Sequence, residues 1–264
     1  HSHTHTTLTH THTHHTHIHT HTHTHTMSMH YCRTKRNKTF SNSGGISVFI
    51  KESHRKRIKF LPQSNSDIVW IQIVSQNAIR SPNHEIFIGC AYIPPEFSSF
   101  GKQHTRKIWD SLEQNIEMLS QRGQIVLCGD FNARSGRLTD FIEMDSHPKY
   151  YKLPEKYAYD NCYHRCTMDA VVQKNGRILV NTCTDNQLYI LNGRTLGDLQ
   201  GRFTCFQPQG CSVVDYFVCS QSLMKEVNYM KVKDLMEYSD HCPVDLNIHI
   251  ASIDDVFFAK AIYS

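Results

Sequence analysis

The sequence predicts a layered α/β fold, and two observations lead to this prediction. From Gly44 onward, apolar runs rich in β-branched residues alternate with turn signals, as is typical of β-strands. Over residues 103–121 the apolar residues recur at helical spacing instead, and a short, wholly apolar strand follows at 124–128. A helix that leads into a strand buried on both faces indicates helices packed against a sheet.

The first three predicted strands cover residues 46–50, 67–74 and 85–93. The third is stopped by Pro94 and Pro95, which lack the amide hydrogens that a strand ladder needs. Residues 51–59 are polar and basic, which is typical of a hairpin tip. We therefore expect the three strands to form a meander.

The amphipathic helix ends at Gly123, a residue type that commonly terminates helices. The remaining elements follow from the same reasoning: a helix over 177–191 that ends in an Asn-Gly turn, paired strands at 203–206 and 212–219, and a last strand at 243–250. Strict alternation of apolar residues in the last strand predicts one buried face.

Composition excludes several classes of protein. The chain has 264 residues and a net charge of +4, a weak bias toward polyanions that is unlike a highly basic nucleic-acid coat protein. No apolar run reaches the length of about 18 residues that a membrane span needs, and no secretory signal is recognised at the start. Ten cysteines at irregular spacing indicate reduced thiols. We expect an intracellular protein, nuclear or cytoplasmic and not secreted.

The first 30 residues differ in kind from the rest, because they contain thirteen of the twenty histidines. Their His-Thr alternation is what a translated CA repeat would encode, and the alternative is a metal-chelating tract. We predict a disordered tract over 1–30, a basic linker over 31–42, one domain over 43–250 and a tail over 251–264.

Three polar clusters lie where predicted strands begin or end: Gly129–Asn132, Asp215 within a valine-rich strand, and Ser239–Pro243. An ionised carboxylate beside apolar residues must be paired, hydrogen-bonded or metal-bound. A buried Asp215 is suited to hold a histidine, and His241 is the candidate. The oxygens of Asp130, Asn132 and Asp240 could then serve a Mg²⁺ site and a phosphate. Each cluster alone is also compatible with a turn or a cap.

These clusters, with Ala91–Pro95 before them, resemble in type and order the motifs of the endonuclease/exonuclease/phosphatase family. The similarity is greatest to the endonuclease domains of non-LTR retrotransposons, and it covers about residues 43–250.

The resemblance implies a four-layer α/β sandwich, with two mixed sheets face to face and helices outside. It implies a Mg²⁺- or Mn²⁺-dependent endonuclease that cleaves one DNA strand. Asp130 would contact the attacking water or the leaving group, and Asn132 the scissile phosphate. Asp215 would orient His241, which acts as a general base or a phosphate-stabilising acid. Asp240 would hold the metal together with Asp130, and Tyr92 would donate a hydrogen bond to the phosphate.

The sequence departs from the family pattern at its start. The family has two earlier strands, one ending in an asparagine and the next in a metal-binding glutamate, whereas the first acidic residue here is Glu52. We therefore expect a domain that lacks its first two strands and has lost some or all activity. The alternatives are a non-catalytic remnant, and a phosphatase or host nuclease of the same fold.

Overall fold

Fourteen strands and two α-helices occur in the part of the chain that the computed structural model describes, residues 17–20, 26–32, 45–74, 85–142, 163–249 and 256–261. The helices are α1 (Gly101–Ser120) and α2 (Lys174–Asp185). The strands are β1 (His17–Thr20), β2 (Thr26–Cys32), β3 (Gly45–Lys51), β4 (Ile58–Phe60), β5 (Ile68–Ile73), β6 (Glu85–Tyr92), β7 (Gly123–Asp130), β8 (Leu188–Ile190), β9 (Cys205–Gln207), β10 (Gly210–Ser212), β11 (Asp215–Ser220), β12 (Val227–Val232), β13 (Val244–His249) and β14 (Val256–Ala261).

A six-stranded mixed sheet lies at the centre, in the order β4-β5-β6-β7-β11-β8. Within it only β6 and β7 are parallel neighbours, and α1 makes the crossover connection that parallel neighbours require. Every residue of β5 is buried, and so are the last six of β7. These strands are mostly apolar, as is typical of strands that other layers cover on both faces.

Both helices pack on one face of the central sheet. Trp109 and Leu112 of α1 and Leu179 of α2 are fully buried there, in one cluster with Trp70 of β5. Burying each such side chain contributes about 1.5–3 kcal/mol, so this apolar stripe fixes α1 against the sheet. The predicted helix and its apolar face are therefore confirmed.

The opposite face of the central sheet packs against a second layer of strands. Its order is β12-β13-β14, and its buried side chains include Met230, Val244 and Leu246. Ile46 and Val48 of β3 pack against the same core. The prediction of a mixed α/β fold, with sheets face to face and helices outside, is confirmed. In the described ranges both helices lie on the same side of the central sheet.

The N-terminal strands differ from the expectation. We expected residues 1–30 to be disordered and the strands before Gly45 to be missing, but β1 and β2 are formed and β2 pairs along the whole of β3. Tyr31 of β2 packs against the same core as Ile46 and Val48. A free edge of β3 favours pairing with β2. The remainder of the histidine tract lies outside the described residues.

Several element predictions were wrong in pairing, and others in type or extent. Strand β3 is not beside β5, and the meander consists of β4, β5 and β6 instead. The helix predicted over 177–191 divides into α2 and β8. Strand β9 pairs with β10, whereas β11 enters the central sheet between β7 and β8. Strand β12 was not predicted, and β14 lies in the expected tail.

Neither described helix is both long enough and apolar enough to cross a membrane.

Candidate active site

Three predicted site residues lie side by side at one edge of the central sheet. Tyr92 ends β6, Asp130 ends β7 and Asp215 begins β11. The strand register pairs Tyr92 with Asp130, and Asp130 with Asp215. Neighbouring strands lie about 4.8 Å apart, and residues in register point to the same face, so the three side chains are brought together. We call Tyr92, Asp130 and Asp215 the edge row.

Asn132 holds the carboxylate of Asp130. Its backbone N–H donates to Asp130 Oδ1 and its side-chain Nδ2 donates to Oδ2, both at 2.8 Å. Nδ2 also donates to the carbonyl of Ile93 at 2.9 Å. The turn needs a φ of 43° at Asn132, in the left-handed region that asparagine tolerates better than most residues. Both amide hydrogens point to protein acceptors, so Asn132 orients Asp130.

Asp130 is 4% exposed, and its ionisation is strongly disfavoured. Burial raises the pKa of Asp130 to about 8, and the negative charge of Asp215 adds to this effect. The charge of His241 and the hydrogen bonds from Asn132 act in the opposite direction and do not outweigh it. A positive charge placed beside Asp130 would favour its carboxylate form.

His241 is hydrogen-bonded to Asp215. Its Nδ1 lies 2.8 Å from Asp215 Oδ2 and 3.1 Å from Oδ1. Burial lowers the pKa of His241, but the hydrogen bonds to Asp215 and Cys205 and the charges of Asp215 and Asp130 together raise it to about 11. The contact with Asp215 therefore favours the imidazolium form of His241. The pairing that the sequence predicted for Asp215 and His241 is present.

Two buried polar residues fix the backbone at Asp215, and sequence reasoning missed both. The hydroxyl of Thr204 accepts hydrogen bonds from the N–H groups of Val214 and Asp215, each at 3.1 Å. Asn192 donates from Nδ2 to the Asp215 carbonyl at 3.0 Å and accepts from the Phe217 N–H at 3.2 Å. Asn192 had been interpreted only as a turn residue.

Asp240 occupies a different position from the edge row. It is exposed, and its Oδ2 accepts a hydrogen bond from Gln207 Nε2 at 3.0 Å. Its backbone carbonyl accepts from the Phe206 N–H at 2.7 Å, which pairs this segment with β9. Asp240 is therefore beside His241 and Cys205, at the exposed side of the site.

A buried polar network supports the loop that follows β7. Arg134 donates to both carboxylate oxygens of Asp169, at 2.8 and 2.6 Å. The Tyr216 hydroxyl lies 2.7 Å from the Ala133 carbonyl and 2.8 Å from the Val213 carbonyl. These contacts join the loop after β7 to the chain that enters β11, and so they hold Asp130 and Asp215 in register.

The donors at the site fit a hard divalent cation. Asp130 and Asp240 provide carboxylate oxygens, the kind of ligand that Mg²⁺ prefers. The pair of His241 and Asp215 provides a proton donor whose orientation is fixed.

Solved structures to which the chain is similar overall include the endonuclease domain of TRAS1, a telomere-specific non-LTR retrotransposon. The two sequences are 18% identical, and the structures superpose with a TM-score of 0.47. The match covers 73% of this chain and 67% of the TRAS1 domain. A second similar structure is a 3'-5' exonuclease (NExo) from Neisseria meningitidis, which is 12% identical in sequence and has a TM-score of 0.46. This match covers 72% of this chain and 70% of the exonuclease. No curated protein matches the sequence.

A protein family described as endonuclease-reverse transcriptase matches residues 86–245. This range includes the edge row, Asn132, Asp240 and His241. It confirms the resemblance to the endonuclease/exonuclease/phosphatase superfamily that the motifs had suggested. Because the match spans more than half of the 264 residues, the chain belongs to the endonuclease-reverse transcriptase family.

Proposed function

We propose that this member of a phosphodiester hydrolase superfamily is a metal-dependent DNA endonuclease of retrotransposon origin. The observation that carries the proposal is the contact of 2.8 Å between His241 and Asp215, next to the buried carboxyl group of Asp130. The family description supports a nucleic-acid substrate. The hard oxygen donors support a divalent ion rather than an organic cofactor.

In this proposal His241 is the phosphate-stabilising acid. Asp215 accepts the hydrogen of Nδ1 and stabilises the charged ring, so Nε2 presents a proton to a non-bridging phosphate oxygen. The raised pKa of His241 favours this role over that of a general base, which requires a neutral imidazole. Thr204 and Asn192 are positioning residues, because they act through the backbone of Asp215.

Asp130 and Asp240 are the residues that would hold Mg²⁺ or Mn²⁺. The bound ion would neutralise charge on the phosphate and lower the pKa of water. Asp130 is kept in place by Asn132. In this proposal it would also contact the attacking water or the leaving group. Tyr92, half-buried at the end of the edge row, would donate its hydroxyl to the phosphate.

The test is nicking of supercoiled plasmid by the full chain, with Mg²⁺ or with EDTA. We expect Mg²⁺-dependent nicking that falls about 10²- to 10⁴-fold in His241→Ala and in Asp215→Asn, because general acid–base groups contribute that much. His249→Ala is the matched control, since this exposed histidine ends β13 and takes no part in the site. Folded wild-type protein that does not nick DNA would refute the endonuclease and favour a non-catalytic remnant.

A further inference from the structure

His241 and two neighbouring side chains offer three chemically different metal donors. The Cys205 sulfur, a carboxylate oxygen of Asp240 and a ring nitrogen of His241 all lie within 4.8 Å of one another. Among the described residues no other group of three such donors is present. In a tetrahedral zinc site the ligand atoms are about 3.5 Å apart. The three donor atoms would therefore need to move by only about 1 Å to bind one zinc ion.

The backbone holds these donors in place. Cys205 and His241 form an antiparallel bridge. On either side of it, the Phe206 N–H donates to the Asp240 carbonyl and the Cys242 N–H donates to the Thr204 carbonyl, both at 2.7 Å. Because the two segments are paired on both sides of the donors, little ordering entropy is lost when an ion binds.

The contact between Asp215 and His241 completes the arrangement. Histidines that bind metals usually donate the hydrogen of their other ring nitrogen to a carboxylate, which fixes the ring and makes it a better ligand. Here Nδ1 is engaged by Asp215 at 2.8 Å, so Nε2 is the nitrogen that faces a metal. The same contact that supports catalysis thus supports coordination.

We propose that Cys205, Asp240 and His241 form an inhibitory site for a thiophilic divalent cation such as Zn²⁺. Thiolate, imidazole and carboxylate are ligands of zinc, whereas Mg²⁺ prefers oxygen alone. Binding releases two protons to solvent, one from the Cys205 thiol and one from Nε2 of His241, and leaves a fourth position for water. The inhibitory effect rests on the proposed function, because zinc occupies the nitrogen with which His241 would meet the phosphate.

The binding test uses Co²⁺ as a spectroscopic probe, added to the full chain under reducing conditions. Coordination by Cys205 is expected to give a cobalt–thiolate charge-transfer band in the near ultraviolet. Cobalt bound by the histidine tract would not give this band, because imidazole ligands alone do not produce a thiolate charge transfer. We expect the band to disappear in Cys205→Ser and to remain in Cys211→Ser, a matched control on the partner strand β10.

Two further variants keep the test decisive if Cys205→Ser fails to fold. Asp240→Ala changes an exposed side chain and removes one ligand. Asp215→Asn removes the carboxylate behind His241 and is expected to weaken cobalt binding about 10- to 100-fold, as for other outer-shell partners. A band that is absent in the wild type, or that is unchanged in all three variants, would overturn the site.

The effect on activity is measured separately. With Mg²⁺ present, added Zn²⁺ is expected to inhibit plasmid nicking by the wild type and by Cys211→Ser, and to inhibit Cys205→Ser much less. Equal inhibition of all three would overturn the inhibitory role. If the wild type does not nick at all, the proposed endonuclease fails, while the cobalt band still decides whether the metal site exists.

Discussion

Asp215 shows at the scale of one residue what the sequence can and cannot predict. A carboxylate among valines and aromatic residues is costly to bury, so its need for a partner such as His241 was evident from the sequence. Thr204 and Asn192 gave no such signal. Each bonds to backbone groups, 11 and 23 residues away from Asp215, and ordinary polar side chains do not indicate which distant backbone they will meet.

Tyr216 offers a stability prediction at this scale. Its buried hydroxyl lies 2.7 and 2.8 Å from two carbonyl oxygens and 3.1 Å from Ser135 Oγ, so its single hydrogen is shared among these acceptors. Tyr216→Phe removes this donor and should lower the free energy of unfolding by about 1–3 kcal/mol near neutral pH. Chemical denaturation measures the loss. Tyr238→Phe, at a side chain that is 93% exposed, is the control and should change little.

The loss caused by Tyr216→Phe should become smaller at alkaline pH. Burial raises the pKa of Tyr216 to about 12 in the folded protein, whereas an unfolded tyrosine ionises near about 10. Between these values the unfolded wild type releases a proton that the folded protein retains, so wild-type stability falls as pH rises. The phenylalanine variant has no proton to release. A difference that stays constant across this range would contradict the assignment.

At the scale of elements, local patterns identified strands and helices better than they identified partners. The strands β5, β6 and β7 and the helix α1 were predicted near their observed bounds, because each has a strong apolar period. The pairing of β11 with β7 was not predicted, since hydrophobic periodicity carries no information about which strand lies alongside. The register that builds the edge row was therefore beyond sequence reasoning.

The helix α1 provides the test of packing at this scale. Leu112 is fully buried between the helix and the sheet, whereas Met118 on the same helix is 46% exposed. Leu112→Ala should lower the free energy of unfolding by about 2–5 kcal/mol, because it removes apolar contacts and leaves a cavity. Met118→Ala should change it by no more than about 0.5 kcal/mol. Equal effects in denaturant titrations would show that α1 is not packed as described.

At the scale of the whole molecule, the central sheet contributes side chains to two hydrophobic cores, one on each of its faces. Strand β5 contributes Trp70 to the core beneath the helices and Ile71 to the core between the sheets. The layered α/β class could be predicted from the order of elements. The location of the site could be narrowed to strand ends, because its carboxylates interrupt apolar runs.

Because both hydrophobic cores include side chains of the central sheet, we expect them to unfold together. Both tryptophans of the chain, Trp70 and Trp109, lie in the core beneath the helices and are fully buried. Tryptophan fluorescence therefore reports on that core, whereas far-ultraviolet circular dichroism reports on all elements. We expect the two signals to give the same midpoint in denaturant, as for a single cooperative unit. Fluorescence that changes before the dichroism would show that the helical layer separates first.

The register of the edge row has a consequence for how this sequence can change in evolution. Side chains alternate between the faces of a strand, so one residue inserted within β7 would turn Asp130 away from Tyr92 and Asp215. Substitutions in the surrounding layers alter stability by degrees, but a change of length in β6, β7 or β11 separates the side chains of the edge row at once. We therefore expect the chain to accept changes of amino-acid composition more readily than changes of strand length.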